Sequence, residues 1–443
     1  MASGHDEQMD KRRERREEQR RRQQAEQRRL KIALVAAVLV FIACGVGIWY
    51  IAKNAGNLSS AQISAQNGAP ATKPTEAPKE TTPLEASNSV TTINIRAAGD
   101  LNITDAVIKS GLAASGYDFT RAFIDVSSSL SNADLTLMNF EGNICGEPYG
   151  TLRTSAPAEI LEALRHCGVD MLQVANSCTI NNGLIGLTST LSAIRNAGMT
   201  PLGAYANAQE FQQSKGYTIC DIQGIKVAIV AFTKGVGGMG LPAGNEDCVN
   251  LLYTDYATTY DEVDKAGINA ILKSIEAEKP DITIAMLHWG SEYNETVSST
   301  QRSIVSLMQK GGVDIIIGTH PHLVQEIAYD PMANTLVAYS LGDFFGDGTR
   351  GGTNYSIILD IEITKDTAAG TTRVTGYDYI PIYTLKGDQS LGDYNYSRVV
   401  RIEETMLAYN TNFVDKVLSG TFSDLEYSMT RIEARTNPPK TEE

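Results

Sequence analysis

No Cys-x-x-Cys pair occurs in this 443-residue chain, and its six cysteines are scattered. That spacing excludes a zinc ribbon. Cys44 lies in a long apolar run. Cys145, Cys167, Cys178, Cys220 and Cys248 remain, an odd number that excludes a complete disulfide framework. At most two bridges are open to them, and spacing does not pair them. Positive charge is scarce as well. Residues 1–31 hold 11 Lys/Arg against 7 Asp/Glu, a local net of +4 in a chain of −14, so the remainder carries −18. Binding to nucleic acid rests on Lys/Arg neutralising phosphates, and an acidic surface repels them. Nucleic acid is therefore excluded as the ligand of the C-terminal bulk. There is no internal repeat. Histidine is rare, with five in all, yet three of them fall in two short motifs.

What is present at the N-terminus is one long apolar run. Residues 32–52 are uncharged and mostly apolar, which matches the length of a bilayer-spanning helix. Arg28, Arg29 and Lys31 crowd its N-terminal flank, and Trp49 and Tyr50 sit where an interfacial aromatic belt belongs. The positive-inside rule then puts residues 1–31 in the cytoplasm and everything after Lys53 outside. The run is long for a cleaved signal peptide, and no small-x-small cleavage site follows at once. The expectation is an uncleaved, single-pass anchor in the cytoplasmic membrane.

Residues 53–90 are rich in Ala, Ser, Thr, Asn and Pro and too poor in large apolar residues to bury a core, so they are expected to form a flexible stalk. Strand and helix patterns alternate from residue 91. Strands are predicted at 91–98, 134–139, 169–175, 282–287 and 313–317, with a hairpin over 217–232 turning at Gln223-Gly224. Helices are predicted at 119–130, 157–167, 184–197, 258–278 and 301–310. Further strands follow at 325–329, 335–340, 355–363 and 372–383. The alternating half and the hairpin half together predict one α/β sandwich with mixed sheets over 91–385. A helical tail is expected over 386–443.

The strand ends carry the chemistry. They read Gly99-Asp100, Asn139-Phe-Glu141, Ala175-Asn176-Ser177-Cys178, His288-Trp-Gly-Ser-Glu292 and Gly318-Thr-His320-Pro-His322. Runs such as 282–287 are short and β-rich, which fits strands buried on both faces. Polar groups at the carboxyl ends of such strands converge on the usual ligand site of an open α/β sheet. Neutral imidazole is the commonest side-chain metal ligand, and mixed carboxylate, amide and imidazole ligation suits Mn, Fe or Zn. Two such ions about 4 Å apart would clamp both oxygens of a phosphoryl displacement.

These motifs resemble the bacterial capsule-synthesis family of the CapA/PgsA type, associated with poly-gamma-glutamate, over about residues 91–350. The resemblance implies a calcineurin-like metallophosphoesterase fold, with two mixed β-sheets flanked by helices. It implies a divalent metal site of one or two ions held by Asp100, Asn139, Glu141, His288, His320 and His322. A Tyr-Ser-Leu-Gly-Asn-Phe string is matched at 339–344 with Asp343 in place of Asn. One motif departs. The family's Ala-Asn-Asn-His, followed by Asp and Gly, reads here Ala175-Asn176-Ser177-Cys178, then Asn181 and Gly183. Ser177 replaces an amide ligand, for which the neighbouring Asn176 is the candidate substitute. Cys178 replaces the histidine acting on the leaving group, and Asn181 replaces the carboxylate that orients it. Loss of a positioned general acid costs roughly 10²–10⁴-fold in rate.

The resemblance implies a membrane-anchored partner of polymer synthesis or export proteins, working on an anionic surface polymer with a metal site of reduced competence. The alternative is an active phosphoesterase acting on a cell-envelope phosphate compound.

Overall fold

The computed structural model describes residues 89–387, 396–410 and 419–436. The basic segment 1–31, the apolar span 32–52 and nearly all of the stalk lie outside the described residues. No helix among the described residues is long and apolar enough to cross a membrane.

The first four strands, β1 (Val90–Asn102), β2 (Leu135–Glu141), β3 (Met171–Gln173) and β4 (Thr200–Leu202), pair in parallel. The next six are β5 (Thr218–Ile222), β6 (Ile225–Thr233), β7 (Ile282–His288), β8 (Ile315–Thr319), β9 (Ile327–Asp330) and β10 (Thr335–Ala338). They make a second sheet, ordered β5-β6-β7-β8-β10-β9, with β6, β7, β8 and β10 parallel. The chain then returns to the first sheet through β11 (Asp343–Phe345), β12 (Tyr355–Asp366), β13 (Thr371–Leu385) and β14 (Arg398–Arg401). That sheet is ordered β14-β13-β12-β1-β2-β3-β4, with β11 beside β1. Both sheets are mixed, as the alternating and hairpin halves of the sequence predict. The stretch read as a helical tail supplies β14 as well as the helices Ile402–Asn410 and Ser419–Thr436.

Side-chain alternation explains the layers. Ile95 and Ala97 of β1 face Val227 and Ile229 of β6, Ile284 of β7 and Ile315 of β8 across the sandwich. The opposite faces carry Met138 and Phe140 against Ile160, Leu164 and Leu187, and Val230 and Leu287 against Ile268, Ile275 and Ile304. Both faces of the central strands are therefore apolar, and each fully buried Ile or Leu contributes about 1.5–3 kcal/mol over exposure. Most of the buried ionisable groups sit at the strand ends; the Arg96–Asp360 pair between β1 and β12 is a mid-strand exception and is partly exposed.

Two helices differ from their sequence reading. The stretch 258–278 becomes helical only at Lys265. Upstream, the Asp255 carboxylate accepts from the backbone N–H groups of Asp261 and Glu262, a local alternative to helix, and Asp264 then caps the helix through Gly267 N–H at 2.9 Å. The stretch 119–130 breaks into Thr120–Phe123, Ile124–Val126 and Ser127–Ser131. Its serines and β-branched residues are weak helix formers.

Two glycines shape the strand ends. The register of β1 against β2 shifts between Ala98 and Asp100, so Gly99 is a bulge that re-aims Asp100. A Cβ on Gly99 would sit 1.8 Å from the Gly342 carbonyl oxygen, and one on Gly318 would sit 1.9 Å from that of Tyr339. Only glycine permits these approaches, which draw the ends of β1 and β8 towards the segment 339–343.

Candidate metal centre

The ends of β1, β2, β7 and β8 deliver Asp100, Glu141, His288, His320 and His322 to one buried cluster, each at most 5% exposed. Three sets of donor atoms each lie within 4.8 Å of one another: Glu141, His320 and His322; Asp100, His322 and Asp343; and Asp100, Glu141 and His288. Asp100, Glu141 and His322 each belong to two sets, so the three sets overlap in one cluster.

The histidines are held individually. His288 Nδ1 lies 3.1 Å from Thr319 Oγ1, and its Nε2 lies 3.0 Å from Ser177 Oγ and 3.5 Å from Glu141 Oε1. His322 Nδ1 lies 2.7 Å from Asp343 Oδ1 and 3.5 Å from Asp100 Oδ2. His320 donates its backbone N–H to Asp100 Oδ2 at 3.1 Å. His320 and His322 have φ of +90° and +58°. Such left-handed geometry in a non-glycine residue costs on the order of 1–3 kcal/mol and persists only where the surroundings enforce it.

Electrostatics test whether a cation fits. Burial pushes Asp100 up to about 6 and Glu141 up to about 8, with His322 pulling both down and neighbouring carboxylates pushing them up. Burial likewise raises Asp343, against the pull of His322. Burial holds His288 and His320 well below the usual imidazole range, so both rings stay neutral and available as ligands. His322 goes the other way: burial opposes its charge, but Asp343, Glu141 and Asp100 outweigh it. Two buried donors, Glu141 Oε2 and His320 Nδ1, have no hydrogen-bond partner. Leaving such atoms unsatisfied costs about 1–3 kcal/mol each. A divalent cation among these donors relieves both orphans and the crowding of carboxylates, so the residues fit one.

The two amides serve differently. Asn139 donates to Asp100 Oδ1 at 2.6 Å and accepts from Asn176 Nδ2 at 3.0 Å. Asn176 also donates to the Phe140 carbonyl at 2.7 Å and accepts from Cys178 N–H at 3.0 Å. Both amides are thus engaged in aiming Asp100 and fastening the loop after β3. In the altered motif it is the Ser177 hydroxyl, not the Asn176 amide, that reaches His288. That 3.0 Å contact is a hydrogen bond, and it places the Ser177 oxygen beside the donor cluster. Cys178 is buried and hydrogen-bonds to Thr154 and Asn181, and burial and then Glu141 push its pKa well above the usual thiol value. It stays a neutral thiol and belongs to none of the donor sets.

Sequence reasoning passed over Asp343, Thr319 and the site role of Ser177. The only signal for Asp343 is the Asp standing where the resembling family has Asn. Thr319 had no signal beyond its place inside the motif at 318–322. Tyr293 stacks on the His322 ring at 5.4 Å, and Lys234 donates from Nζ to the Gly290 carbonyl at 2.7 Å.

Residues 94–347 match the family described as bacterial capsule synthesis protein PGA_cap. The capsule biosynthesis protein CapA of Bacillus anthracis is 28% identical over 244 residues, covering 52% of this chain and 55% of that protein. The PGA biosynthesis protein CapA of Bacillus subtilis is 26% identical over 220 residues, covering 50% and 53%. The chain therefore spans about half the length of the curated relatives it matches. Among solved structures, a Mycoplasma pneumoniae phosphatase aligns with a TM-score of 0.40 at 14% identity, covering 66% of this chain and 94% of that one. The calcineurin-like phosphoesterase YfkN of Bacillus subtilis aligns at 0.38 and 18%, covering 66% and 90%. Both structural likenesses are remote. The family match spans more than half of the chain and contains every residue of the buried donor cluster, and on that ground this protein belongs to the bacterial capsule synthesis protein family.

Proposed function

We propose that this protein assists the synthesis or export of an anionic surface polymer such as poly-gamma-glutamate, as an extracytoplasmic domain held by an anchor at residues 32–52. In this reading it works beside membrane-bound synthesis or export proteins and keeps a metal centre of reduced catalytic competence. One observation carries the proposal. The buried donors are intact, while the loop that should hold the acid–base pair carries Ser177, Cys178 and Asn181.

Asp100, Glu141, His288, His320 and His322 would hold one or two Mn, Fe or Zn ions, with the Ser177 hydroxyl in the amide's place. Such ions supply Lewis acidity towards phosphoryl oxygens. The surrounding residues orient the donors. Asp343 engages His322 Nδ1, Thr319 engages His288 Nδ1, and Asn139 fixes Asp100. In this reading the altered loop no longer supplies the family's proton donor for a departing oxygen. The Cys178 thiol is buried and neutral, and Asn181 donates to Thr154 Oγ1 at 3.0 Å rather than orienting an imidazole.

The second reading, an active phosphoesterase on an envelope phosphate compound, is favoured by the intact donor set. One experiment separates them. Full-length protein and a His320→Ala/His322→Ala variant are analysed for bound metal, then screened with phosphomonoesters and phosphodiesters. Metal in the wild type only, with turnover slower by roughly 10²-fold or more than ordinary phosphoesterases, supports the proposal. Fast turnover promotes the hydrolase, and equal metal in both proteins removes the centre from these residues.

A further inference from the structure

The metal-binding turn is propped by a loop that is itself fastened from far along the chain. After β7, Tyr293 adopts φ +58°, stacks its ring on His322, and donates its N–H to the Pro321 carbonyl at 2.9 Å. Gln325 donates to the Asn294 carbonyl at 2.8 Å and accepts from Gln301 at 3.1 Å. The next residue, Glu295, accepts from Arg431 at 2.5 Å and also from Arg435. These arginines lie one turn apart on the helix Ser419–Thr436, beyond the region matched by the family.

The helix is seated, not dangling. Arg435 is charged yet its side chain is only 7% exposed, and its guanidinium lies 5.4 Å from the Tyr355 ring of β12. The Thr436 hydroxyl lies 3.1 Å from that of Tyr379 on β13. An exposed ion pair contributes little. Here one carboxylate joins two guanidiniums, one of them buried, so removing the carboxylate leaves a buried charge without its partner. The loop so held supports His320 and His322, whose positive φ values need outside enforcement.

We propose that the helix Ser419–Thr436 is a latch on the metal centre. Glu295, Arg431 and Arg435 are positioning residues. They hold Tyr293 against His322 and so fix the geometry of the His320-Pro321-His322 turn. The affinity part of this inference rests on the metal-centre reading; the mechanical part does not.

The test uses full-length protein stripped of metal. Hydrogen–deuterium exchange is measured over residues 289–298 and 318–324, and cobalt binding is followed by its visible absorption. The variants are Glu295→Gln, Arg431→Gln/Arg435→Gln, and all three changes together. Each set should speed exchange in 289–298 and weaken cobalt binding about 3- to 10-fold, less than the loss of a direct orienting partner. The triple variant should be no worse than the worse of the other two, because the bridge acts as one unit. If the double arginine variant does not fold, Glu295→Gln still decides the matter, since Glu295 sits on a loop with its side chain 44% exposed. Unchanged exchange in 289–298 overturns the latch, as does faster exchange confined to the helix. Cobalt binding by the wild type with equal affinity in every variant overturns the coupling to the centre. A wild type that takes up no cobalt overturns the metal reading, and the exchange data alone then decide the latch.

Discussion

Removing the carboxylate of Asp343 should loosen the metal centre without touching the backbone that builds it. Asp343 Oδ1 lies 2.7 Å from His322 Nδ1, with both residues at most 4% exposed. Engaging Nδ1 fixes the ring and leaves Nε2 as the atom open to a metal. Outer partners of this kind typically change metal affinity 10- to 100-fold, or about 1.4–2.7 kcal/mol. Asp100 Oδ2 is the other carboxylate oxygen near that nitrogen, but at 3.5 Å it is too far to replace the bond. Asp343→Ala should therefore weaken Mn or Zn binding by about 10- to 30-fold at pH 7.5, read by calorimetric or competition titration. Asp343→Asn keeps an acceptor and should lose about 3-fold. Urea unfolding of the metal-free variants checks that the fold persists. Alanine binding metal as tightly as wild type refutes the orienting role. Asparagine as weak as alanine refutes it differently, because charge rather than a hydrogen bond would then matter, and Asp343 would itself be a ligand.

Restoring the altered motif with Ser177→Asn, Cys178→His and Asn181→Asp together should raise phosphoester turnover ~10²-fold or more, while the single changes do little; a folded, metal-loaded triple variant that stays inert means the site lacks more than this motif. Asp314 offers a pH test away from the centre. Burial raises its pKa to about 6, against the Thr283 N–H and the Asn334 amide, so the folded state holds this proton more tightly than the unfolded chain. Its stabilising contribution is present below about pH 4 and is lost as pH rises through 6. Asp314→Asn should therefore gain on the order of 1–3 kcal/mol in urea unfolding at pH 7.5 and nearly nothing at pH 4; a gain independent of pH rules out this cause. Protease added to intact protoplasts should remove the domain if residues 32–52 anchor it with the N-terminus inside; full protection reverses that topology.

The strand ends were legible because chemistry and pattern coincide there. Short β-rich runs such as 282–287 and 313–317 stop abruptly at His288 and before His320, and buried parallel strands allow polar groups almost only at such stops. Residues whose roles depend on chain closure were not legible. Asp343 meets His322 because the three-residue β11 lies parallel to β1, a pairing no local pattern announces. Glu295 meets Arg431 and Arg435 across 136 and 140 residues. Asn139 and Asn176 were legible as polar groups at the right place. Whether their amides face a metal or each other is decided by packing between β2 and the loop after β3. The late start of the helix at Lys265 has the same origin, since Asp255 captures backbone donors that a periodicity argument assigns to the helix.

The donor cluster and the altered motif come from different parts of the fold, so on the proposed reading one can be kept while the other is lost. The donors come from four strand ends, those of β1, β2, β7 and β8, whereas the proton-handling group is expected on a single loop after β3. Substitutions in that loop leave the donors in place. Ser177 shows this directly, because the loop still presents an oxygen 3.0 Å from His288 Nε2 although the residue type differs from the family's. Cage and turnover also answer to different energies. Asp100, Glu141 and Asp343 are buried together with too little positive charge beside them, which weakens the metal-free fold. An ion bound only by the folded state offsets that, adding about 2.7 kcal/mol when free metal stands at 100 times its dissociation constant. That stabilisation requires no reaction. On the proposed reading, a chain without a general acid would still gain from the cage, because that stabilisation comes with folding and not with turnover.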